Sequence, residues 1–361
     1  AFDRRLDDWF DGSAVRRRAV FGDDADSVST FIAMRDREYR AAQYNDECEF
    51  KEEQLRTHQE HTKIKNFSHI MIGQYLIKAW YFSPVPMEYR TSPVLHFCDF
   101  CLSFFGQKCE YELHMKQCTV THPPGTEIYR SREQNTDISV YEVDGAKQGD
   151  YCQNVAYLAK FFLDHKTLEY DTTSFYFYII TEVSRSGCHF LCYFSKEKSP
   201  EKNFNLSCIM TLPCHQRKGL GHFMISLSYG LSKIERKLGT PETPLSDLGL
   251  ISYRKFWASE LLKVIHQYHV RQQEELLSLQ VLADHTAFQI EDIFFTLTDL
   301  GVLKKCNDEY VFVVNQALFD KFIRKPRKLN KQSNPHQKYV NLVQQDKIHW
   351  TPHYFKLPDA H

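Results

Sequence analysis

Four side chains of the types that bind zinc occur at a defined spacing in one short stretch of the sequence. They follow the pattern Cys98-x2-Cys101-x12-His114-x3-Cys118. The first two cysteines can reach one ion from a tight turn, and His114 and Cys118 lie one helical turn apart, so both face the same way. Three thiolates and one imidazole complete a tetrahedral shell and leave no position for substrate. The pattern therefore predicts a structural zinc ion.

The ligand spacing is that of a ββα zinc finger in which a cysteine replaces the last histidine. Phe105 and Tyr111 lie between the two ligand pairs, where a finger needs apolar filling. The predicted finger helix, residues 107–113, offers one cation, Lys108, whereas DNA-reading fingers carry more positive charge. We expect residues 94–125 to form a zinc-stapled subdomain; a DNA-reading finger is the alternative.

A loop with two glycines supplies the second chemical motif. Residues 216–221 read Gln-Arg-Lys-Gly-Leu-Gly and join a predicted strand to a predicted helix. Glycines allow close backbone approach to a ligand, and the amides at a helix N-terminus attract anions. The loop lacks the Gly-Lys-Ser/Thr of a P-loop and the GxGxxG of the dinucleotide fingerprint. It is either a pyrophosphate-binding loop or an ordinary turn.

The elements that position these motifs follow from apolar periodicity. A continuous apolar-aromatic run predicts a buried strand over 175–183, with a returning strand over 188–194 and a third strand over 206–212. Helices are predicted over 152–165, with Val155, Leu158, Ala159 and Phe162 on one face, over 219–237, with Leu220, Phe223, Met224, Leu227, Leu231 and Ile234 on one face, and over 253–269.

The C-terminal third has a different pattern. Two short helices, 279–286 and 290–300, and a strand over 310–314 predict a helix-turn-helix with a small wing. Residues 321–338 contain seven lysines and arginines and no acid, which is typical of an extended surface segment.

Composition excludes several classes of protein. With 42% hydrophobic and 14% aromatic residues the chain is not mainly disordered, and no apolar run approaches the roughly 20 residues that span a bilayer. The net charge of −1 excludes a chain-wide electrostatic nucleic-acid binder. Eleven cysteines, with charged residues at 4–5 and 7–8 where a secretory signal would be apolar, predict a reducing compartment. Residues 21–62 are dense in charge and predict a linker or a solvated helix.

Several ordered motifs together resemble the MYST family of histone acetyltransferases. They stand at residues 80–84, 122–124, 127–130, 162–166, 193–198, 205–213, 241–249 and 252–254. The resemblance covers residues 63–262, with a weaker tail to Trp350. It implies an α+β fold with an N-acetyltransferase-like central sheet, flanking helices, the Cys-Cys-His-Cys finger and a C-terminal helix-turn-helix. It implies an acetyltransferase domain over 63–355, containing the finger at 94–125, an acetyl-CoA-binding core at 139–270 and the helix-turn-helix at 276–315.

The first residues resemble a further domain. Residues 2–9, Phe-Asp-Arg-Arg-Leu-Asp-Asp-Trp, are similar to the last segment of the chromo-barrel domain found in the chromodomain-bearing, males-absent-on-the-first-like branch of the family. This similarity predicts that residues 1–20 are a remnant of such a domain.

The resemblance also implies catalytic roles. A lysine ε-amine, with a pKa near ~10.4, is unprotonated in only about one molecule in a thousand near pH 7, so acetyl transfer needs a base. Glu242 matches the family's base. Cys208 matches the family's active-site cysteine, which either accepts the acetyl group transiently or shapes the site.

The resemblance assigns acetyl-CoA contacts to a strand edge, to the glycine loop and to two residues beyond them. These positions are Ile209, Met210, Thr211, Gln216, Arg217, Lys218, Gly219, Leu220, Gly221, His222, Ser246 and Lys255. Lys255 stands where the family tends to have serine, and it either reaches a cofactor phosphate or points to water. Cys214 and His215 replace the usual Pro-Tyr or Gln-Tyr pair. We expect this change to be neutral; an extra thiol near the cofactor is the alternative.

Lys166 matches the family's autoacetylated lysine, and its acetylation would let it bury and order the substrate groove. The resemblance implies transfer of acetyl groups to lysines of histone tails, above all of the fourth core histone, in the nucleus, as part of a multiprotein complex that acts on nucleosomes and regulates transcription. Contact with DNA is expected to be secondary, and no membrane is involved. The competing hypothesis is a catalytically inactive DNA-binding chromatin factor, against which the presence of Cys208, Glu242 and both loop glycines argues.

Overall fold

The structure is a computed structural model. It describes residues 15–18, 65–133, 136–164, 171–200, 202–270, 277–306, 309–314, 316–322 and 343–353. The chain forms two compact units. The sheet unit comprises the described residues within 43–234, 241–246 and 335–361, and the helical unit those within 1–42, 235–240 and 247–334.

The described secondary structure alternates short strands with helices along the chain. In chain order the strands are β1 (Val15–Arg18), β2 (His69–Ile72), β3 (Tyr75–Lys78), β4 (Val94–Phe97), β5 (Phe104–Phe105), β6 (Thr126–Glu133), β7 (Thr136–Asp144), β8 (Phe175–Val183), β9 (Cys188–Glu197), β10 (Phe204–Leu206), β11 (Ile209–Thr211), β12 (Thr240–Pro241), β13 (Leu303–Cys306) and β14 (Glu309–Val314). The helices are α1 (Lys108–Gln117), α2 (Gly149–Lys160), α3 (Leu220–Glu235), α4 (Asp247–Val270), α5 (Leu279–Thr286), α6 (Ile290–Asp299) and α7 (Gln316–Phe322).

The sheet unit is built on five antiparallel strands in the order β11-β9-β8-β7-β6. β8 has the predicted bounds and lies at the centre, because its continuous apolar-aromatic run can be buried on both faces. β11 is an edge strand, so no strand among the described residues pairs with its outer side. The predicted α+β architecture with a central sheet is therefore confirmed.

Helices cover both faces of this sheet. α2 packs on one face through Val155, Leu158 and Ala159, and α3 packs on the other through the apolar face that periodicity predicted. The predicted helix 152–165 is wrong at both ends, since α2 begins at Gly149 and ends at Lys160. Lys160 Nζ donates to the carbonyl oxygen of Asp164, and the Phe161 carbonyl accepts the amides of residues 80 and 81, so this helix ends at Lys160.

A second sheet, in the order β3-β2-β4-β5, carries the metal-ligand residues. β2 pairs antiparallel with β3 and parallel with β4, and β4 ends at Phe97, immediately before Cys98. β5 and α1 follow, so the predicted ββα order is observed. α1 covers Lys108–Gln117 rather than residues 107–113, and none of its side chains is buried.

The segment from Val343 to His353 packs along the central sheet. The amide of His349 donates to the carbonyl oxygen of Ile128 at 2.7 Å. Glu142, on β7, accepts hydrogen bonds from Trp350 Nε1 at 2.6 Å and from the Tyr178 hydroxyl at 2.9 Å, and it pairs with His353 at 2.9 Å. Burial alone would raise the pKa of Glu142, but these donors outweigh burial and hold it below its ordinary value. A buried carboxylate therefore anchors this segment.

The helical unit contains the predicted helix-turn-helix. α5 has the predicted bounds and begins where the Ser278 hydroxyl accepts a hydrogen bond from the amide of Val281. α6 covers Ile290–Asp299, and β13 and β14 form the wing. β1 adds a third strand to this wing by pairing antiparallel with β14. Periodicity did not indicate β1.

Other predicted bounds differ from those observed. α4 begins at Asp247 rather than at residue 253, because Asp247 in the first turn complements the helix dipole. α3 ends at Glu235 rather than at 237, because Arg236 adopts a left-handed backbone conformation. The predicted linker 21–62, most of the predicted remnant 1–20 and most of the basic segment 321–338 lie outside the described residues. No helix of the described chain is long and apolar enough to cross a membrane.

Candidate active site and zinc centre

The predicted zinc ligands converge on one point. The ligand atoms of Cys98, Cys101, His114 and Cys118 all lie within 4.8 Å of one another, and no other group of three or more candidate ligands occurs among the described residues. The Cys98 and Cys118 sulfurs are 4.0 Å apart, and Cys101 Sγ lies 3.3 Å from His114 Nε2. Sulfurs bound to one tetrahedral zinc ion at ~2.3 Å lie about 3.8 Å apart, so the donor set fits zinc.

The local fold explains this convergence. The tight turn between β4 and β5 closes with a hydrogen bond from the Leu102 amide to the Cys98 carbonyl, and Leu102 has a left-handed φ of 59°. A hydrogen bond from the Cys98 thiol lowers the pKa of Cys101, which favours the thiolate form that binds a cation. Zinc bound by all four ligands would hold β4, β5 and α1 together and would not reach a substrate.

The region around Cys208 contains a β-bulge that divides the predicted third strand. The prediction of one strand over 206–212 is wrong, because Ser207 and Cys208 both lie opposite Ser195 of β9. The Ser207 amide donates to the Ser195 carbonyl oxygen at 2.8 Å, and the Cys208 amide donates to the Ser195 hydroxyl oxygen at 3.2 Å. The Ser195 amide donates to the Cys208 carbonyl oxygen at 2.9 Å. Two residues opposite one define a bulge and bend the strand there.

Glu242 lies on the far side of this bulge from β11. Its amide donates to the carbonyl oxygen of Leu206 at 2.8 Å, and its side chain is exposed. Leu206 and Cys208 are two residues apart, so their Cα atoms are at most ~7 Å apart. The structure therefore brings the backbones of Glu242 and Cys208 to the same bend, with the side chain of Glu242 exposed.

β11 presents backbone groups to its open side. Met210 is paired with Tyr193 of β9, and its side chain is buried. In an antiparallel strand the backbone amide and carbonyl of successive residues point alternately toward the paired strand and away from it. Cys208 and Leu212 bond inward to β9, so the amides and carbonyls of Ile209 and Thr211 face the open edge. The Thr211 carbonyl accepts a hydrogen bond from Gln216 Nε2 at 3.2 Å. The remaining edge groups can pair with an extended amide-bearing ligand.

The glycine loop continues from this edge into α3. Arg217 and Gly219 have left-handed φ values of 62° and 88°. They turn the chain so that the loop leads into the N-terminus of the 16-residue α3, whose first amides have no acceptor within the helix. A Cβ atom added at Gly221 would meet no atom within 4 Å. The first turn of α3 is therefore open at Gly221, and the choice between a pyrophosphate loop and an ordinary turn stays a prediction.

Cys214 and His215 form a turn between β11 and the loop. Burial raises the pKa of Cys214 to about 11, so its thiol is protonated and unreactive near neutral pH. Burial, assisted by the charge of Lys218, lowers the pKa of His215 to about 4, so its imidazole is neutral. These values support a neutral change at Cys214 over an extra reactive thiol.

The remaining predicted site residues differ in what the structure says of them. Ser246 lies in the sheet unit and is exposed, and His222 lies in the first turn of α3. Lys255 is exposed on α4 of the helical unit. Lys166 lies outside the described residues.

Comparison with known proteins gives the family. Residues 64–118 match the MYST family zinc finger domain, and residues 122–340 match the MOZ/SAS family. This chain belongs to the MYST family of histone acetyltransferases. Two relatives from Arabidopsis thaliana, named histone acetyltransferase of the MYST family 1 and 2, are 48% and 43% identical over 270 and 330 residues. These matches cover 75% and 90% of this chain, and 59% and 72% of the relatives.

A fungal relative matches as well. Histone acetyltransferase ESA1 of Mycosarcoma maydis is 42% identical over 290 residues, which cover 80% of this chain and 47% of the relative. This chain thus spans between about half and three quarters of the length of these MYST relatives.

The motif-based prediction missed the structural contacts of two residues of this MYST chain. Ser195 lies inside the motif at residues 193–198, but its hydrogen bonds to Ser207 and Cys208 were not predicted, because they depend on the strand that returns opposite it. His215 was noticed only as a departure from the usual tyrosine, although its ring packs edge-on against Tyr75 at 5.1 Å between centroids. A histidine in an otherwise apolar turn was the available signal.

The zinc centre predicts a specific loss of metal. His114→Ala removes one ligand and should reduce zinc content from one equivalent per chain to well below half, since three ligands hold the ion much less tightly. The measurement is elemental analysis of protein purified without added zinc. Cys109→Ser is the matched control, because Cys109 lies in the same helix, is exposed and is not among the four ligands. Full zinc content in His114→Ala would contradict the assignment.

The buried neutral His215 predicts a pH dependence of stability. Its pKa is about 4 in the folded chain and about 6.5 when unfolded, so the unfolded state binds the extra proton first as pH falls. Wild type should therefore lose roughly 3 kcal/mol of unfolding free energy, relative to His215→Phe, between pH 7 and pH 4. Urea unfolding across this range measures the difference. A difference that stays constant with pH would show that the ring is not held neutral by the fold.

Proposed function

We propose that this chain transfers the acetyl group of acetyl-CoA to the ε-amine of lysines in histone N-terminal tails, with the fourth core histone as the expected substrate. Membership of the MYST family supports the reaction type. The observation that carries the proposal is the arrangement around the bulge. The open strand edge begins one residue after Cys208, the glycine loop follows this edge, and the exposed Glu242 bonds through its backbone to Leu206; all three lie in one unit.

The β11 edge and the glycine loop would hold acetyl-CoA. The amides of Ile209 and Thr211 would pair with the amide-bearing pantetheine arm, and the loop amides with Arg217 and Lys218 would bind the pyrophosphate. When bound, acetyl-CoA supplies an activated thioester. Gln216 holds the loop against β11 through the Thr211 carbonyl, so both parts of the site keep one geometry.

Glu242 would act as the general base. Its carboxylate would accept the proton of the incoming lysine ammonium and so generate the nucleophilic amine, and its exposure allows it to pass this proton to water. Cys208 lies at the bulge, where Ser195 fixes its backbone. It either shapes the acetyl-binding region or accepts the acetyl group before the lysine, and both roles fit its position.

Further parts of the proposal rest on the family motifs. Lys166 is proposed as an autoacetylated residue, and Ser246 and Lys255 as contacts to the cofactor. Domain bounds of 63–355 for the acetyltransferase domain and 1–20 for a chromo-barrel remnant are likewise proposed, as is membership of the chromodomain-bearing branch. Action on nucleosomes within a multiprotein complex in the nucleus is likewise proposed from the family motifs.

The DNA-binding alternative finds less support. The second helix of a helix-turn-helix enters the major groove with its N-terminal residues. In this chain that helix, α6, carries Glu291 and Asp292 in its first turn, and these carboxylates would repel phosphates. The helix-turn-helix is therefore better suited to bracing the domain than to reading bases.

The assignment of the loop to pyrophosphate binding predicts that a larger side chain at Gly221 leaves the fold intact but lowers the affinity for acetyl-CoA. Gly221→Val should weaken acetyl-CoA binding at least about tenfold, because the new methyl groups enter the space for the pyrophosphate. Isothermal titration calorimetry measures the affinity. Gly149→Val is the matched control, since Gly149 also opens a helix and also has no atom within 4 Å of an added Cβ. Equal affinities of the two variants would exclude the loop from the binding site.

The base assignment predicts a loss of turnover. Glu242→Gln should reduce kcat about 10²- to 10⁴-fold at neutral pH while acetyl-CoA affinity is unchanged, because the amide cannot take up a proton. A steady-state assay with a histone H4 tail peptide and acetyl-CoA measures kcat. Glu112→Gln, at an exposed ion pair with Lys108, is the control and should retain full activity. If Glu242→Gln keeps wild-type kcat while chemistry is rate-limiting, Glu242 is not the base.

A further inference from the structure

His215 makes a contact that links the acetyl-CoA loop to another part of the chain. Its side chain is 5% exposed, and its ring meets the ring of Tyr75 edge-on, with 5.1 Å between centroids and 80° between planes. This geometry is the favourable one for two aromatic rings. Its Nδ1 atom is buried and has no hydrogen-bond partner among the described residues, so packing rather than a polar bond holds the ring.

Tyr75 in turn belongs to the sheet that carries the zinc ligands. It is the first residue of β3 and pairs with Ile72 of β2, and Ile72 also pairs with Phe97, the residue before Cys98. The turn between β2 and β3 lies against the zinc-binding turn, because a Cβ atom at Gly73 would come within 2.9 Å of an Asp99 carboxylate oxygen. The backbone position of Tyr75, from which its ring projects, is thus set by the zinc-binding sheet.

On its other side, His215 immediately precedes the residues that form the loop. It ends a single 3-10 turn, residues Pro213–His215, which its amide closes by bonding to the Leu212 carbonyl oxygen at 2.8 Å. Gln216, which follows, holds the Thr211 carbonyl, and Arg217 already has a left-handed φ. A shift of the His215 ring would therefore move the start of the loop directly.

Asp99 makes a parallel connection to the central sheet. Its carboxylate accepts hydrogen bonds from His189 Nδ1 at 2.6 Å and from the amide of Phe190 at 3.2 Å, and both residues lie at the start of β9. The zinc-binding turn thus contacts β9, which pairs with β11, and contacts the loop through Tyr75 and His215. The first connection fixes the strand edge, and the second fixes the loop beside it.

We propose that Tyr75 and His215 are positioning residues for acetyl-CoA, through which the zinc-binding sheet sets the geometry of the pyrophosphate loop. Neither residue is proposed to touch the ligand. The inference rests on the proposed function, and it gives the structural zinc ion a defined effect on substrate affinity. It also gives a reason why histidine can replace the usual tyrosine at residue 215 with a neutral result: the histidine keeps an aromatic ring at this point, and the ring is what the loop needs.

The test is a double-mutant cycle on acetyl-CoA affinity, measured by isothermal titration calorimetry with zinc-loaded protein. His215→Ala and Tyr75→Leu should each weaken binding about three- to tenfold, since each removes the same edge-on contact. The double variant should bind acetyl-CoA no less tightly than the single variant with the lower affinity, because the same contact can be lost only once. His215→Tyr should restore affinity to within about twofold of wild type.

A positioning role and a merely structural role predict different kinetic effects: the first changes only the acetyl-CoA parameters, and the second lowers stability without a specific effect on acetyl-CoA. We expect KM for acetyl-CoA to rise in both single variants, with kcat and KM for the histone peptide unchanged. Trp80→Leu is the matched control, because Trp80 forms another edge-on aromatic pair in the same unit, with Phe162 at 5.6 Å. It should lower the melting temperature as much as Tyr75→Leu does and leave acetyl-CoA affinity at the wild-type value.

A separate measurement tests whether the zinc centre acts on the loop through Tyr75. His114→Ala should weaken acetyl-CoA binding in the wild-type background, and clearly less so in Tyr75→Leu, where the connection is already broken. Failure of wild-type protein to bind acetyl-CoA would overturn the proposed function itself. If wild type binds and the two single variants bind as tightly as Trp80→Leu, or if their losses simply add in the double variant, the coupling through this contact is refuted.

Discussion

The hydrogen bonds that Ser195 makes to Ser207 and Cys208 are the constraint on which the site depends. They create the bulge that ends one strand at Leu206 and starts another at Ile209. Because of this break, the part before the bulge bonds to Glu242, and the part after it becomes an edge strand with free backbone groups. In an uninterrupted strand the backbone groups before and after Cys208 would have continued in one direction along β9. The bulge instead lets a carboxylate, a cysteine and an open strand edge meet at one bend.

The two sheets of the unit have complementary tasks. The central sheet supplies the strand edge and the bulge, and its burial on both faces by α2 and α3 makes it rigid. The smaller sheet buries Ile70, Leu95 and Phe97 in the same apolar core as α2, and the turn after it brings four ligands to one ion position. Asp99 and Tyr75 connect the second sheet to the first. A metal centre with no open coordination position can in this way influence a reaction without taking part in it.

The sequence was informative wherever a local pattern decides the structure. The apolar run of β8, the buried face of α3, the ligand spacing of the finger and the bounds of α5 depend on residues near each other in the chain, and all were observed as predicted.

Features that depend on distant partners were missed or wrong. The bulge needs Ser195 opposite Ser207, the end of α2 needs the amides of residues 80 and 81, and the C-terminal segment needs the buried carboxylate of Glu142. Strands β6 and β7 mix polar and apolar residues and gave no clear periodicity. The roles of Glu242 and Cys208 came from family motifs, since neither residue type at those positions indicates chemistry by itself.

Amide hydrogen exchange of the free protein and of its acetyl-CoA complex tests the central claim most directly. The account predicts that ligand slows exchange at the outward-facing amides of Ile209 and Thr211 and at the loop amides from Arg217 to Gly221. The amide of Met210, which already faces β9, should change little. Saturating acetyl-CoA that leaves the Ile209 and Thr211 amides at their free exchange rates, or that protects Met210 instead, would contradict the proposal that the open edge beyond the bulge is the binding site.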